Sequence, residues 1–157
     1  MKKLSDMFSL RYGQSLELNG LAKVQPPLGI NFVSRSLENN GVTARVLTDA
    51  QPGATGELTV ALGGSVLATF VQPEPFVCGR DVMILTAKDP HMPIAQKLWW
   101  SQCILANRYR YSYGRQANRT LGDLLVPDEA PVWVRDVHVP DDRQIAQLLR
   151  AIRGILP

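Results

Sequence analysis

The residues best suited to chemistry lie between Asn107 and Arg119. The run Asn107-Arg108-Tyr109-Arg110-Tyr111-Ser112-Tyr113-Gly114-Arg115-Gln116-Ala117-Asn118-Arg119 interleaves four arginines with three tyrosines and three amides. Arginine matches phosphate oxygens and the acceptor edge of guanine, and side-chain amides match adenine. Tyrosine hydroxyls reach phosphate or pack their rings under a cation. No carboxylate occurs between Asp89 and Asp123, whereas Lys97, Arg108, Arg110, Arg115 and Arg119 all do. Positive charge is therefore concentrated in one stretch, which says more about a polyanionic partner than the formal net charge of +3. The same run also fits an exposed basic loop with tyrosines along the rim of the core. Tyr113-Gly114-Arg115 fits an internal corner as well, with Arg115 bonded to backbone carbonyls.

Arg35 is the second cationic candidate. It sits in Ser34-Arg35-Ser36, ahead of Glu38-Asn39-Asn40-Gly41. Asn-Gly is turn chemistry in its own right, because both residues tolerate positive φ. No turn requires an arginine, so Arg35 is left to function.

Catalytic constellations do not stand out. His91 and His138 are isolated, and Ser65 and Ser112 sit in no nucleophile-elbow context. Gly63-Gly64 lacks the pattern of a phosphate-binding loop and reads as a tight hairpin turn. Asp81 beside Arg80, and Asp141-Asp142 ahead of a helix, read as surface pairing and capping. Cys78 and Cys103 are single and far apart, at no zinc spacing, and are expected to be buried free thiols. The expectation is a chain that is not an enzyme, holds no metal and carries no cofactor of its own.

These candidates need a scaffold, and 157 residues are enough for one domain with a hydrophobic core. Charges interrupt every apolar run, so no membrane span is expected. Met1-Lys2-Lys3-Leu4-Ser5-Asp6 has a basic start without an apolar h-region, which predicts a cytoplasmic chain. The first two-thirds read as strands and turns: Gly29–Arg35, Val42–Leu47, a Glu57–Phe70 hairpin about Gly63-Gly64, and Asp81–Thr86. Gln72-Pro73-Glu74-Pro75 ends the hairpin, because neither proline can donate to a ladder.

The period then changes. Met92 to about Asn107 predicts a well-buried helix with Ile94, Leu98, Trp99, Cys103 and Ile104 on its apolar face. Leu121–Val126 reads as a short helical or extended segment, and Pro127–Pro140 as a proline-punctuated loop carrying Trp133. Asp141 or Asp142 caps a final helix whose Ile145, Leu148, Leu149 and Ile152 recur at i, i+3, i+4 and i+7, with Gly154 as its stop. That apolar stripe needs a partner surface.

Four elements, in order, resemble the target-recognition domain of type I restriction–modification specificity subunits and the related type IIB subunits. They are Met7–Gly13; Ile30–Arg35 with Asn39-Asn40-Gly41; Leu58–Val66 with Phe70-Val71-Gln72; and Tyr109–Arg119. Together they cover roughly residues 7 to 135. The resemblance implies a mixed α/β domain, with a curled mixed sheet and packed helices, that lays loops against duplex DNA. It also implies that chemistry belongs to partners: a DNA methyltransferase holding S-adenosylmethionine, and a nuclease subunit, acting in host defence.

Full specificity subunits carry two recognition domains joined by long antiparallel helices. This chain has one domain and one short helix, Asp141–Arg153, and so amounts to about a half-subunit. Residues 1–140 are read as the recognition domain, and residues 141–157 as an amphipathic helix that contacts a second copy or a separate subunit; a fragment of a larger system is the remaining alternative. A homodimer would read a split palindromic site. The candidate DNA-binding residues are Arg35, Arg108, Arg110, Arg115, Gln116, Asn118 and Arg119. An interaction protein that assembles with, or decoys, a restriction–modification complex without reading DNA is the other reading.

Overall fold

Among the described residues, alternating and β-branched runs form ten strands, and the apolar periodicity near the C-terminal half forms the longer helices. The computed structural model describes residues 1–111, 116–138 and 140–155. In chain order its elements are β1 (Lys2–Lys3), α1 (Leu4–Met7), β2 (Phe8–Tyr12), β3 (Ala22–Lys23), β4 (Ile30–Val33), β5 (Val42–Leu47) and β6 (Leu58–Ala61). There follow β7 (Thr69–Val71), β8 (Phe76–Cys78), β9 (Val82–Ala87), α2 (Ile94–Ala106), β10 (Leu125–Val126), α3 (Val132–Arg135) and α4 (Asp142–Ile155). The mixed α/β class holds, and the strands divide among three sheets.

An antiparallel sheet in the order β2-β9-β6-β7 carries the main core on one face. All four residues of β6 are buried, as expected of a central strand covered on both sides. Leu58, Val60 and Leu85 meet Leu4, Phe8, Trp100, Ile104 and Leu121 there. A second sheet runs β3-β5-β4-β8, with β4 and β8 parallel and the other pairs antiparallel. The parallel pair is joined through the intervening β5–β7 region, the long crossover that parallel strands require. Val33, Phe76 and Cys78 from this sheet pack on Val82 and Ile84 of β9, so a small second cluster joins the two sheets. β1 pairs with β10 in a two-stranded ribbon, Lys2 opposite Val126.

Four expectations about the elements are corrected. The Glu57–Phe70 hairpin forms, but its turn is not a tight Gly-Gly pair. β6 ends at Ala61 and β7 starts at Thr69, with a longer loop closed by Leu67 N–H donating to Ala61 O at 2.8 Å and Ala61 N–H to Ala68 O at 3.0 Å. In α2 the buried positions are Trp100, Ser101 and Ile104, whereas Ile94 and Leu98 stay exposed. With apolar residues on most sides of this helix, packing against β7 and α3 selects the face. Ile94 and Leu98 stay open to solvent, and Leu98, with Trp99, Trp133 and Val137, lines an apolar surface groove between α2 and α3. The segment Pro127–Pro140 contains a short helix, α3, and α4 runs through Gly154 to Ile155. A single glycine costs a helix about 1 kcal/mol, too little to end it without further breakers.

Other expectations hold. Asn39, Asn40 and Gly41 all take positive φ, of 49°, 56° and 74°, in one tight turn between β4 and β5. Leu121–Asp123 is a 3-10 turn that leads into β10. Both cysteines are free thiols, Cys78 buried as expected and Cys103, against expectation, only half-buried. Burial pushes the Cys78 thiol up to about 12 and the Cys103 thiol up to about 11, so neither is a thiolate near neutral pH.

One ionic group organises the first sheet. Glu57 is buried at 8% exposure, and its carboxylate is bonded from three segments. Arg11 on β2 donates Nη1 and Nη2 to it at 2.5 and 2.8 Å, Ala54 N–H donates at 2.7 Å, and the Thr86 hydroxyl on β9 donates as well. Burial pushes the Glu57 carboxyl up, but the hydrogen bonds from Arg11, Thr86 and Ala54 outweigh it and bring its pKa down to about 2. A depressed carboxyl pKa contributes stability above its unfolded value near 4.5, and that contribution is lost as pH falls toward 2. Denaturant unfolding should therefore show stability declining through that window. Glu57→Gln should flatten the decline and cost about 1.5–3 kcal/mol at neutral pH; an unchanged pH profile would show that Glu57 does not carry it.

Candidate nucleic-acid interface

The candidate site is built around residue Leu62, where the chain leaves β6. Its side chain is fully buried, and its backbone is bonded on both sides: Leu62 N–H donates to Asp81 O at 2.8 Å, and Leu62 O accepts from Ala117 N–H at 2.9 Å. The first bond brings the start of β9 against the loop that follows β6. The second brings in residues 116–118 from the far side of the basic run. Ala117 is fully buried, while Gln116 is exposed and Asn118 half-buried on either side of it.

Gly63 and Gly64 follow, and their lack of side chains lets two polar groups close in. A Cβ at Gly63 would lie 3.5 Å from Arg35 Nη1 and 3.5 Å from Gln116 Nε2. Arg35 and Gln116 thus flank the same glycine. Asn118 Nδ2 donates to Gln116 Oε1 at 3.2 Å, and Tyr12 OH donates to Asn118 O at 3.3 Å. Arg35 Nη1 donates to Asp81 Oδ2 at 3.3 Å. The structure therefore gathers Arg35, Gln116 and Asn118, which are 80 or so positions apart in the chain, at one loop.

Arg35 is carried by the loop after β4. Ser34 N–H donates to Gly41 O at 2.8 Å, and the Ser34 and Thr43 hydroxyls are 2.7 Å apart, which closes the loop across the Asn-Asn-Gly turn. Gln72 holds that turn from inside: fully buried, it donates Nε2 to Asn40 O and to Thr59 Oγ1, each at 2.9 Å. Its Oε1 has no hydrogen-bond partner among the described residues.

Arg108 and Arg110 sit elsewhere, on the 3-10 turn Asn107–Tyr111 that extends α2. Arg110 is exposed, donates Nε to Tyr109 OH at 3.2 Å, and stacks its guanidinium 5.5 Å from the Tyr109 ring centre. That is the pairing of ring and cation expected from the alternating Arg-Tyr run. The Tyr111 and Thr120 hydroxyls are 2.9 Å apart, which ties this turn to the segment after Asn118. Arg119 is exposed, and Arg108 is half-buried. Arg115, with Ser112, Tyr113 and Gly114, lies outside the described residues.

Three residues of this site were not among the candidate site residues of the sequence. Tyr12 and Asp81 act through partners more than 40 positions away, which no local pattern reveals. Asp81 pairs with Arg35, not with its neighbour Arg80, which is bound to Glu17. Gln72 had a faint signal, a polar residue at the end of an apolar strand. Among the described residues no group of three or more His, Cys, Asp or Glu side chains is placed to hold a metal ion, and no helix is long and apolar enough to cross a membrane. A surface cavity lined by Lys2, Asp6, Lys88, Asp89, Trp100 and Asp128 among others shares no residue with the loop cluster.

The two glycines separate by conformation. Gly64 has φ of +62°, and a Cβ there would stand 3.3 Å from Arg35 Cβ, whereas a Cβ at Gly63 meets only ordinary contacts. Gly64→Ala should cost about 1 kcal/mol in denaturant unfolding, and Gly63→Ala clearly less. Equal costs would mean that the left-handed turn does not constrain the loop.

No family model matches the sequence, and no curated protein does. Solved structures are similar in fold. The S subunit of a type I restriction–modification system from M. genitalium is 19% identical, with a TM-score of 0.60 over 78% of this chain and 32% of that one. A chain from a structure of complex assembly and conformational transition in the type I restriction–modification system is 16% identical, with a TM-score of 0.61 over 98% of this chain and 37% of that one. The HsdS subunit from Thermoanaerobacter tengcongensis is 15% identical, with a TM-score of 0.60 over 98% and 37%. This chain spans about a third of the length of each. At such identities the likeness is one of fold, and in fold this chain is similar to part of the S subunits of type I restriction–modification systems.

Proposed function

We propose that this chain reads duplex DNA sequence as a specificity component of a restriction–modification system. The observation that carries the reading is the convergence of Arg35, Gln116 and Asn118 on the Gly63-Gly64 loop. Guanidinium and amide groups are the side chains that discriminate guanine and adenine in the major groove, and here they stand on backbone pinned to a buried core. Arg108, Arg110 and Arg119, with Arg115 outside the described residues, supply phosphate contacts that hold register without reading bases. The chain is not an enzyme in this reading. Methylation belongs to a partner DNA methyltransferase with S-adenosylmethionine, and any cleavage to a nuclease subunit.

Residues 1–140 form the recognition domain in this proposal, and residues 141–157 the partner-binding segment. Asp141 caps α4 reciprocally with Gln144: Gln144 N–H donates to Asp141 Oδ1 at 2.8 Å, and Asp141 N–H to Gln144 Oε1 at 3.0 Å. Every described residue of α4 is exposed, including Ile145, Leu148, Leu149 and Ile152. Such a stripe is normally covered in the working assembly. A second copy of the chain or the methyltransferase is the proposed cover. The same stripe favours the alternative, an assembly protein that binds a modification subunit without reading DNA.

Selection by the purified chain from a pool of random duplexes tests the reading. The expected outcome is an enriched motif whose binding weakens steeply with salt. Arg35→Ala and Gln116→Ala should each remove about 1–3 kcal/mol of discrimination at one base pair, while Arg110→Ala weakens all duplexes alike. No enrichment together with tight, salt-insensitive binding to a modification subunit would favour the assembly protein. For α4, Leu148→Glu with Leu149→Glu should abolish association measured by mass in solution and leave the fold intact by circular dichroism; an unchanged mass would remove α4 from the interface.

A further inference from the structure

We propose that Asp81 is a specificity-determining residue, which holds the Arg35 guanidinium for a base edge and withholds it from phosphate. The proposal rests on the DNA-reading role given above. Asp81 Oδ2 accepts from Arg35 Nη1 at 3.3 Å, with the two side chains 35% and 40% exposed. A pair this open to water adds little to stability. Its effect is on where the guanidinium goes.

Arg35 is a long side chain that, unheld, would sample many rotamers and settle on the strongest nearby field. Against duplex DNA that field is the phosphate backbone. A carboxylate beside the arginine opposes this in two ways. It engages one edge of the guanidinium and leaves other N–H groups to donate. It also repels phosphate, so the pair gains only where the partner offers fixed acceptors, as guanine does. A surface selected for indiscriminate affinity gains nothing from a carboxylate at this point.

The carboxylate is itself well placed to orient another group. Asp81 has φ of +55°, a left-handed conformation uncommon for any residue but glycine and best tolerated by Asp and Asn. Its carbonyl accepts from Leu62 N–H at 2.8 Å, and the next residue begins β9, where Val82 pairs with Ala61. Asp81 is thus fixed to the core sheet while Arg35 rides on a loop, so the acid positions the base. Arg35 Nη1 and Gln116 Nε2 each lie 3.5 Å from the same Cβ position at Gly63, so they are at most twice that distance apart. With a base step of about 3.4 Å, Arg35 and Gln116 reach base pairs no more than two or so steps apart.

Asp81→Asn is the discriminating variant, because asparagine keeps the shape and the left-handed backbone and removes only the charge. Affinity is measured for the selected duplex, for its single-base variants and for random duplex, across salt. Random-duplex affinity should rise about twofold to fivefold, and discrimination at one base pair should fall by a similar factor. The salt slope on random duplex should steepen by about one as Arg35 turns to phosphate. Arg35→Ala should abolish preference at that same base pair, and in its background Asp81→Asn should no longer change it.

A uniform loss on all duplexes with a lowered unfolding midpoint would make Asp81 merely structural and overturn the proposal. So would an unchanged preference profile in a motif the wild-type chain selects. If the wild-type chain selects no motif and binds no duplex in a salt-dependent way, the DNA-reading role falls, and this inference with it.

Discussion

The candidate surface depends on the two backbone hydrogen bonds of Leu62. Its side chain is sealed in the main core, so its peptide groups cannot move without disturbing that core. One bond fixes the start of β9 and therefore Asp81, and the other fixes Ala117 and therefore the amides on both sides of it. Exposed polar groups rarely hold a position by themselves, since each costs side-chain entropy to order. Here the ordering is done by buried backbone, and the exposed atoms inherit it.

A second layer of polar contacts holds the scaffold in place. The Glu57 carboxylate joins β2, β9 and the loop before β6, and Gln72 joins β6 to the turn between β4 and β5. Neither residue faces the candidate DNA surface. Gln72 crosses between segments that have no continuous ladder and so fixes how the β4–β5 turn stands against the first sheet, whereas Glu57 ties neighbouring strands of that sheet to the loop before β6. Hydrophobic packing sets the volume of such a core, while directional bonds set its register. A recognition surface needs the second as much as the first.

Much of the local structure was legible. Val42–Leu47 and the Asn39-Asn40-Gly41 turn are encoded by neighbouring residues, and so is the period of α4. Long-range placement was less so. The division of the strands among three sheets, and the parallel pairing of β4 with β8, depend on residues more than 40 positions apart. The face of α2 was misread because Ile94, Leu98, Trp99, Trp100, Cys103, Ile104 and Leu105 leave no clean polar side from which to orient it. In the site, Gln116, Asn118 and Arg35 were legible by type, whereas the pairing of Arg35 with Asp81 was not, because the nearer Arg80 offered a simpler partner.

The ribbon of β1 with β10 joins Lys2 to Val126, and Leu4 N–H donates to Leu124 O at 2.8 Å beside it. β2 likewise waits for β9, with Phe8 opposite Ala87. Residues 2–12 thus find their partners only within residues 83–126, far along the chain. Contacts of such wide sequence separation make folding slow, because the loop must close before any contact rewards it. During synthesis the apolar side chains of Leu4 and Phe8 lack their partners until residues 87 to 124 have emerged. A nascent chain of this topology is therefore a natural client for chaperones, and its yield in cells is governed by the time spent unclosed as well as by the stability of the finished fold.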